Sequence, residues 1–295
     1  MFGIPLFDLM VILYLFLGGA SAGALCIMSA WSIVFHRREK QHSERLNSAF
    51  KSLMARCYVI CALLLVFSIL CLIWDLGSPE RVLLLFLRPH FTVLTFGAYA
   101  LLLELLIVFL LAAANLFSLS FIGGRVRKLL EYLCCVVSFA IMLYTGVFLA
   151  TNAAVPFWNT WALLVLFLFS SLSAGVSIVL LIDYFIKDQT LLLRAARPLQ
   201  KLHVVVLLLE LLSLAAFLTV VFLDPASQKS LALLLSPSML SVVVVGVVGM
   251  GILAPFFLES YNLRVKPFRT IPVSDAICLL GGFCLRYVII QCGIH

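Results

Sequence analysis

The sequence predicts an all-α polytopic membrane protein, with eight transmembrane helices set as two parallel four-helix bundles. Three observations predict it. The chain of 295 residues is 64% apolar and 11% charged, where a soluble domain carries roughly 45–50% and 25%. Its apolar residues fall into eight runs of about the length that crosses a bilayer. Its Lys and Arg residues gather in alternate connections, as topology in a membrane requires.

The runs occupy 8–35, 55–74, 92–118, 130–152, 158–185, 202–223, 238–258 and 273–291. They lack the alternation of barrel strands, so helices are the only spans that satisfy the backbone. The opening MFGIPLFDLM has no basic stretch, and its apolar run is too long for a signal peptide; it is expected to stay as the first span. The first, third, fifth and seventh connections together hold sixteen Lys and Arg, against three in the others, Arg81, Arg88 and Lys229. The sixteen are expected to face the cytoplasm and both termini the outer, periplasmic side. The net charge of +7 is thereby explained by topology, and nucleic acid is not an expected partner; membrane lipid is.

LGGASAGA in the first run aligns with FSSLSAGV in the fifth, matching Ser21, Ala22 and Gly23 to Ser173, Ala174 and Gly175. Small residues let helix backbones approach. Four spans separate the copies, which predicts bundles over 1–155 and 156–295 related by an axis along the membrane normal.

Charge inside a span is costly and points to function or to a partner. Glu104 lies near the middle of the third span, Glu210 near the middle of the sixth, and Arg286 in the eighth. A buried ion pair joining Arg286 to one of the glutamates, or a proton path, is expected. A second polar group collects at the outer ends. IWDLGSPER closes the second span with Asp75, and Arg88, Pro89 and His90 follow; LYTGVFLATNAAVPFWNTW closes the fourth, with Tyr144 two turns inside and Asn159 at the surface. Trp74, Trp158 and Trp161 are expected in an interfacial aromatic belt.

Redox cofactors and metals are not expected in this chain. Only His203 of the five histidines enters a span, so the paired ligands of a membrane haem are missing. The nine cysteines contain no CxxC pair; Cys57 and Cys61 have the spacing of helix packing. No iron–sulfur or zinc framework is therefore predicted.

The motifs YLFLGGASAGA, DLGSPER, YTGVFLATNAAVPFWN, LFSSLSAG and LGGFCLRYVIIQCG run in order along the chain. In these the chain resembles the polysulfide reductase membrane subunit family, also called NrfD-like. The resemblance implies an eight-helix, quinone-reactive anchor in a prokaryotic cytoplasmic membrane, without cofactors of its own. It implies menaquinone or ubiquinone as bound substrate and a four-cluster ferredoxin-like iron–sulfur subunit as partner, usually joined to a molybdopterin catalytic subunit. It places the quinone in the first bundle, near Gly18, Gly19, Asp75 and Tyr144. Family members often carry an aromatic or polar group ahead of the first motif, some a histidine near the pocket. Here Asp8 stands there, and Asp8, His90 and Asn159 are the alternative quinone ligands. Two other classes fit eight helices with buried charge: a secondary transporter and a purely structural anchor.

Overall fold

The computed structural model describes residues 9–37, 43–75, 92–116, 124–152, 154–185, 189–264 and 272–293. Eight helices are long and apolar enough to cross a membrane, and no strand occurs among the described residues. They are α1 (Leu9–Arg37), α2 (Glu44–Asp75), α3 (Val93–Leu116), α4 (Gly124–Ala150), α5 (Trp161–Tyr184), α6 (Gln189–Leu223), α7 (Pro237–Arg264) and α8 (Pro272–Gln291). The protein is a multi-pass membrane protein. Most Lys and Arg lie at the end where α1 joins α2, α3 joins α4, α5 joins α6 and α7 joins α8; this is the basic end.

Several helices outrun their apolar stretches. α2 starts at Glu44, α4 at Gly124 and α6 at Gln189, all at the basic end. Hydrophobicity marks the hydrocarbon layer, about 30 Å deep. The 32 residues of α2 extend about 48 Å at 1.5 Å per residue, so its charged first turns continue into the polar layer. α7 has hydrogen bonds of the wider π-helical pattern over Val242–Leu253. Gly251 in that stretch meets Gly281 of α8 backbone to backbone.

Packing partners run α1–α2, α2–α3, α3–α4 and α4–α1 in the first half of the chain, and α5–α6, α6–α7, α7–α8 and α8–α5 in the second. The halves meet through α1 and α4 against α5, and α1 against α8. α1 and α5 are the most enclosed helices: 72% of each apolar window is buried, against 28% for α7. The residues matched in sequence make this central contact. A methyl added to Gly23 would run into the Ser171 carbonyl, and one added to Gly175 into the Gly23 backbone. Large apolar side chains of α3 and α6, such as Leu106, Phe109, Leu208 and Leu212, stay on the outside, where lipid is their solvent.

Candidate functional site

Tyr144 is seated by a missing side chain. It lies on α4 and is 3% exposed, and its ring occupies the space where a Cβ on Gly97 of α3 would be. Tyr14 of α1 lies beside it. Phe148 closes over both, with ring centroids 6.3 Å from Tyr14 and 6.0 Å from Tyr144. The Tyr14 hydroxyl is buried and faces Tyr144, without a hydrogen bond of good geometry to any described residue. Such a group costs about 1–3 kcal/mol unless something else accepts from it, so it marks a place for a polar ligand atom. Asp75, exposed as the last residue of α2, is close enough for its charge to act on Tyr14.

An apolar cavity of about 390 Å³ opens between α3 and α4, lined by Val93, Phe96, Ala140, Leu143, Tyr144 and Val147. Its volume is in the range of small-molecule sites, and its composition of apolar walls with one convergent polar group is theirs as well. It lies toward the end opposite the basic one. Tyr14 and Phe148 were not singled out in the sequence, though YLFLGG and YTGVF carry them; both look like ordinary apolar helix residues there. Gly97 has no sequence signal at all.

The two glycines of the first motif do different work from the tyrosines. A Cβ on Gly18 would come 3.1 Å from Ser68 Oγ, and one on Gly19 would come 2.7 Å from Ser171 Oγ and 3.1 Å from Arg286 Nη2. Both admit neighbouring helices, and neither lines the cavity. Asn159 is exposed at the end of the Pro156–Trp158 turn. Asp8 and His90 lie outside the described residues. Trp74 and Trp161 are 76% and 69% exposed, as a belt requires, but Trp158 is fully buried. Its indole N–H donates to the Ile289 carbonyl at 2.8 Å, and its ring packs on Gly293. It ties the α4–α5 connection to α8 and belongs to no belt.

The intramembrane charges divide between the two halves of the chain. Glu104 is fully buried in the first. It accepts from Ser138 and, at 3.5 Å, from Cys134 of α4, while its Oε2 has no partner among the described residues. It does not meet Arg286. That guanidinium donates to Ser170 Oγ (3.1 Å), Ser171 Oγ (2.8 Å) and the Gly282 carbonyl (3.0 Å). It sits between the rings of Phe16 and Phe167, 5.4 Å from each centroid, a cation–π arrangement. No carboxylate forms a direct ion pair with it among the described residues. Glu210 is its electrostatic neighbour and faces Ser170 and Ser173; the expected direct pair is replaced by serines that relay between the two.

The buried set that reading the sequence missed is at the basic end of the second half. His203 of α6 meets Glu259 of α7 at 2.6 Å, and Asp275 of α8 joins them. In the sequence, Glu259 and Asp275 stand at span edges, where acids are normally solvated.

The profile of the family described as polysulphide reductase, NrfD matches residues 3–295. The chain belongs to the NrfD polysulphide reductase family. Among NrfD-family proteins it is similar to the C subunit of polysulfide reductase from Wolinella succinogenes, with 27% identity over 96% of this chain and 92% of that one. It is similar also to protein NrfD of Escherichia coli K12, with 24% identity over 97% and 94%. At such identities the NrfD-family match carries the membrane architecture, and individual site residues rest on the geometry above.

Proposed function

We propose that this chain is the quinone-reactive membrane subunit of an oxidoreductase complex. It exchanges electrons and protons with the menaquinone or ubiquinone pool on behalf of a four-cluster ferredoxin-like iron–sulfur subunit and a molybdopterin catalytic subunit. The observation that carries this reading is the Tyr14–Tyr144 pair beside the apolar cavity, with Asp75 in electrostatic reach. A quinone needs flat apolar walls and hydrogen-bonding groups at its carbonyls. Its two-electron chemistry moves two protons, which calls for an acid or base at hand. Tyr144 and the buried Tyr14 hydroxyl would supply the first need, and Asp75, in electrostatic reach of Tyr14, the second.

The basic end faces the cytoplasm of a prokaryotic inner membrane in this reading, by the bias of positive charge. The cavity is then at the periplasmic end, where the iron–sulfur partner docks and passes electrons through space. Glu210 and Arg286, with Glu104 in the other bundle, are the groups from which proton translocation would be built. The name of the Wolinella relative, a subunit of polysulfide reductase, supports a reductase as the assembly.

The test uses the purified complex. Asp75→Asn and Tyr144→Phe should leave it assembled and lower quinol-linked turnover, the first by about 10²-fold or more, the usual scale of a lost acid–base group, the second by about tenfold, the scale of a lost hydrogen bond. An artificial electron donor should still drive the catalytic partner at the parent rate. Quinol-linked turnover at the parent rate in both variants, or a quinone bound at the basic end, sinks the proposal.

A further inference from the structure

Three different helices bring His203, Glu259 and Asp275 together in the part of the second half nearer the basic end, Glu259 and Asp275 about one turn from the ends of α7 and α8 there. They are 0%, 4% and 3% exposed. One ligating atom from each lies within 4.8 Å of the others, and His203 Nδ1 is 2.6 Å from Glu259 Oε1. Glu259 Oε2 and Asp275 Oδ1 have no hydrogen-bond partner among the described residues. No Lys or Arg forms an ion pair with either carboxylate among those residues. Two buried acids thus converge on a single imidazole, each with one carboxylate oxygen that has no partner among the described residues. Buried charge in this state needs a cation or a hydrogen-bond partner to be tolerable.

We infer that His203, Glu259 and Asp275 bind one divalent transition-metal cation of the zinc class, clamping α6, α7 and α8 at the basic end. The donor set decides the class. One imidazole nitrogen with carboxylate oxygens suits zinc, whereas magnesium and calcium prefer all-oxygen shells. Ligand atoms about 2.0–2.1 Å from a tetrahedral centre stand about 3.3 Å apart, so a cation would replace the 2.6 Å His203–Glu259 hydrogen bond and draw the three ligand atoms, now within 4.8 Å of one another, to its own spacing. The other face of the ring is arranged for it. His203 Nε2 lies 3.4 Å from both Ser173 Oγ and Ser177 Oγ, and 3.8 Å from Cys278 Sγ on the side away from Nδ1. With a cation on Nδ1, the ring proton sits on Nε2 and a serine accepts it, the outer-shell contact that fixes a metal-bound histidine. The serines belong to α5, so all four helices of the second half meet at this point. The site is far from the tyrosine cavity and does not depend on quinone chemistry.

Zinc chloride is the probe. The full-length protein is purified in detergent, stripped with chelator, loaded with zinc and freed of excess by gel filtration. One zinc per chain should remain. X-ray absorption should show nitrogen and oxygen neighbours near about 2.0 Å and no sulfur near about 2.3 Å, which sets this site apart from the nine cysteines. His203→Gln, Glu259→Gln and Asp275→Asn should each weaken zinc retention at least tenfold while the protein stays monodisperse. Retention of no zinc by the parent protein means that protons alone balance the cluster, and overturns the inference. So does sulfur in the parent's coordination shell, a result that needs no variant to fold. Retention unchanged in all three folded variants overturns it as well.

Discussion

The two halves of this protein bury polarity in opposite ways. The first, at the end away from the basic connections, has an apolar cavity lined by Phe96 and Tyr144, with Tyr14 packed beside Tyr144 and Asp75 in electrostatic reach of Tyr14. The second threads charge through its interior: Arg286 and Glu210 about Ser170, then His203, Glu259 and Asp275. A neutral aromatic slot suits a flat ligand that enters and leaves. A line of charge braced by serines suits a fixed arrangement of helices, since each group is expensive to bury unless its neighbours stay in place. Under the proposed function, exchange with the membrane pool belongs to the first half, and the second half is the one that holds buried charge in place.

The largest effect should come from breaking the charged line. Arg286→Leu removes three hydrogen bonds and two ring contacts and strips Glu210 of its nearest cation. Truncating one partner of a buried charge pair typically costs about 3–5 kcal/mol, so folded yield in membranes should collapse. Adding Glu210→Gln should recover about 1 kcal/mol or more, the scale of coupling within one network. Monodisperse yield after size exclusion measures both. Strict additivity would mean that Ser170 does not link them, and the second half would lose its claim to a continuous line.

A smaller and more local effect is expected in the aromatic half. A methyl at position 97 has nowhere to go but into the Tyr144 ring. Gly97→Ala should therefore displace that ring at a cost of about 1–3 kcal/mol for overpacking. Quinol-linked turnover should fall about tenfold in an assembled complex, in line with about 1.4 kcal/mol at the site. Parent turnover in this variant would show that the seat of Tyr144 has no bearing on the chemistry.

How much of this was legible in the sequence follows from what each feature depends on. Eight spans and their ends at the basic side follow from length, hydropathy and Lys and Arg alone. The small-residue match between Gly23 and Gly175 marked helix approach, and those two glycines do meet. Tyr144 and Arg286 stood out as polar groups in apolar runs. The partners of these residues did not. Gly97 matters only because a ring from another helix fills its empty side, and no one-dimensional pattern records that. Trp158 reads as a belt residue because its neighbours in sequence are interfacial, yet the connection folds inward. Glu259 and Asp275 sit at span edges, where hydropathy treats acids as solvated; only the packing of α6, α7 and α8 buries them.

The smallest effect, and the finest test of the contrast, is at Glu104. Like Glu210 it is a fully enclosed acid in mid-span. Unlike Glu210 it faces hydroxyl and thiol donors from Ser138 and Cys134, and no cation pairs with it among the described residues. Glu104→Gln keeps an oxygen to accept from Ser138 and replaces the carboxyl group by an uncharged amide of the same shape. The amide's new donor must find a place on the side where Oε2 now lacks a partner among the described residues. That holds the net change to about 0.5–1 kcal/mol in either direction, the scale of one hydrogen bond. Glu210→Gln alone, by contrast, leaves the Arg286 guanidinium buried without its neighbouring acid and should cost several times more. Thermal unfolding of the two single variants in the same detergent gives the comparison directly. Equal losses would mean that both halves depend on buried charge to the same degree. A large loss at Glu104 with a small one at Glu210 would reverse the assignment and place the buried charge that matters in the half that holds the aromatic cavity.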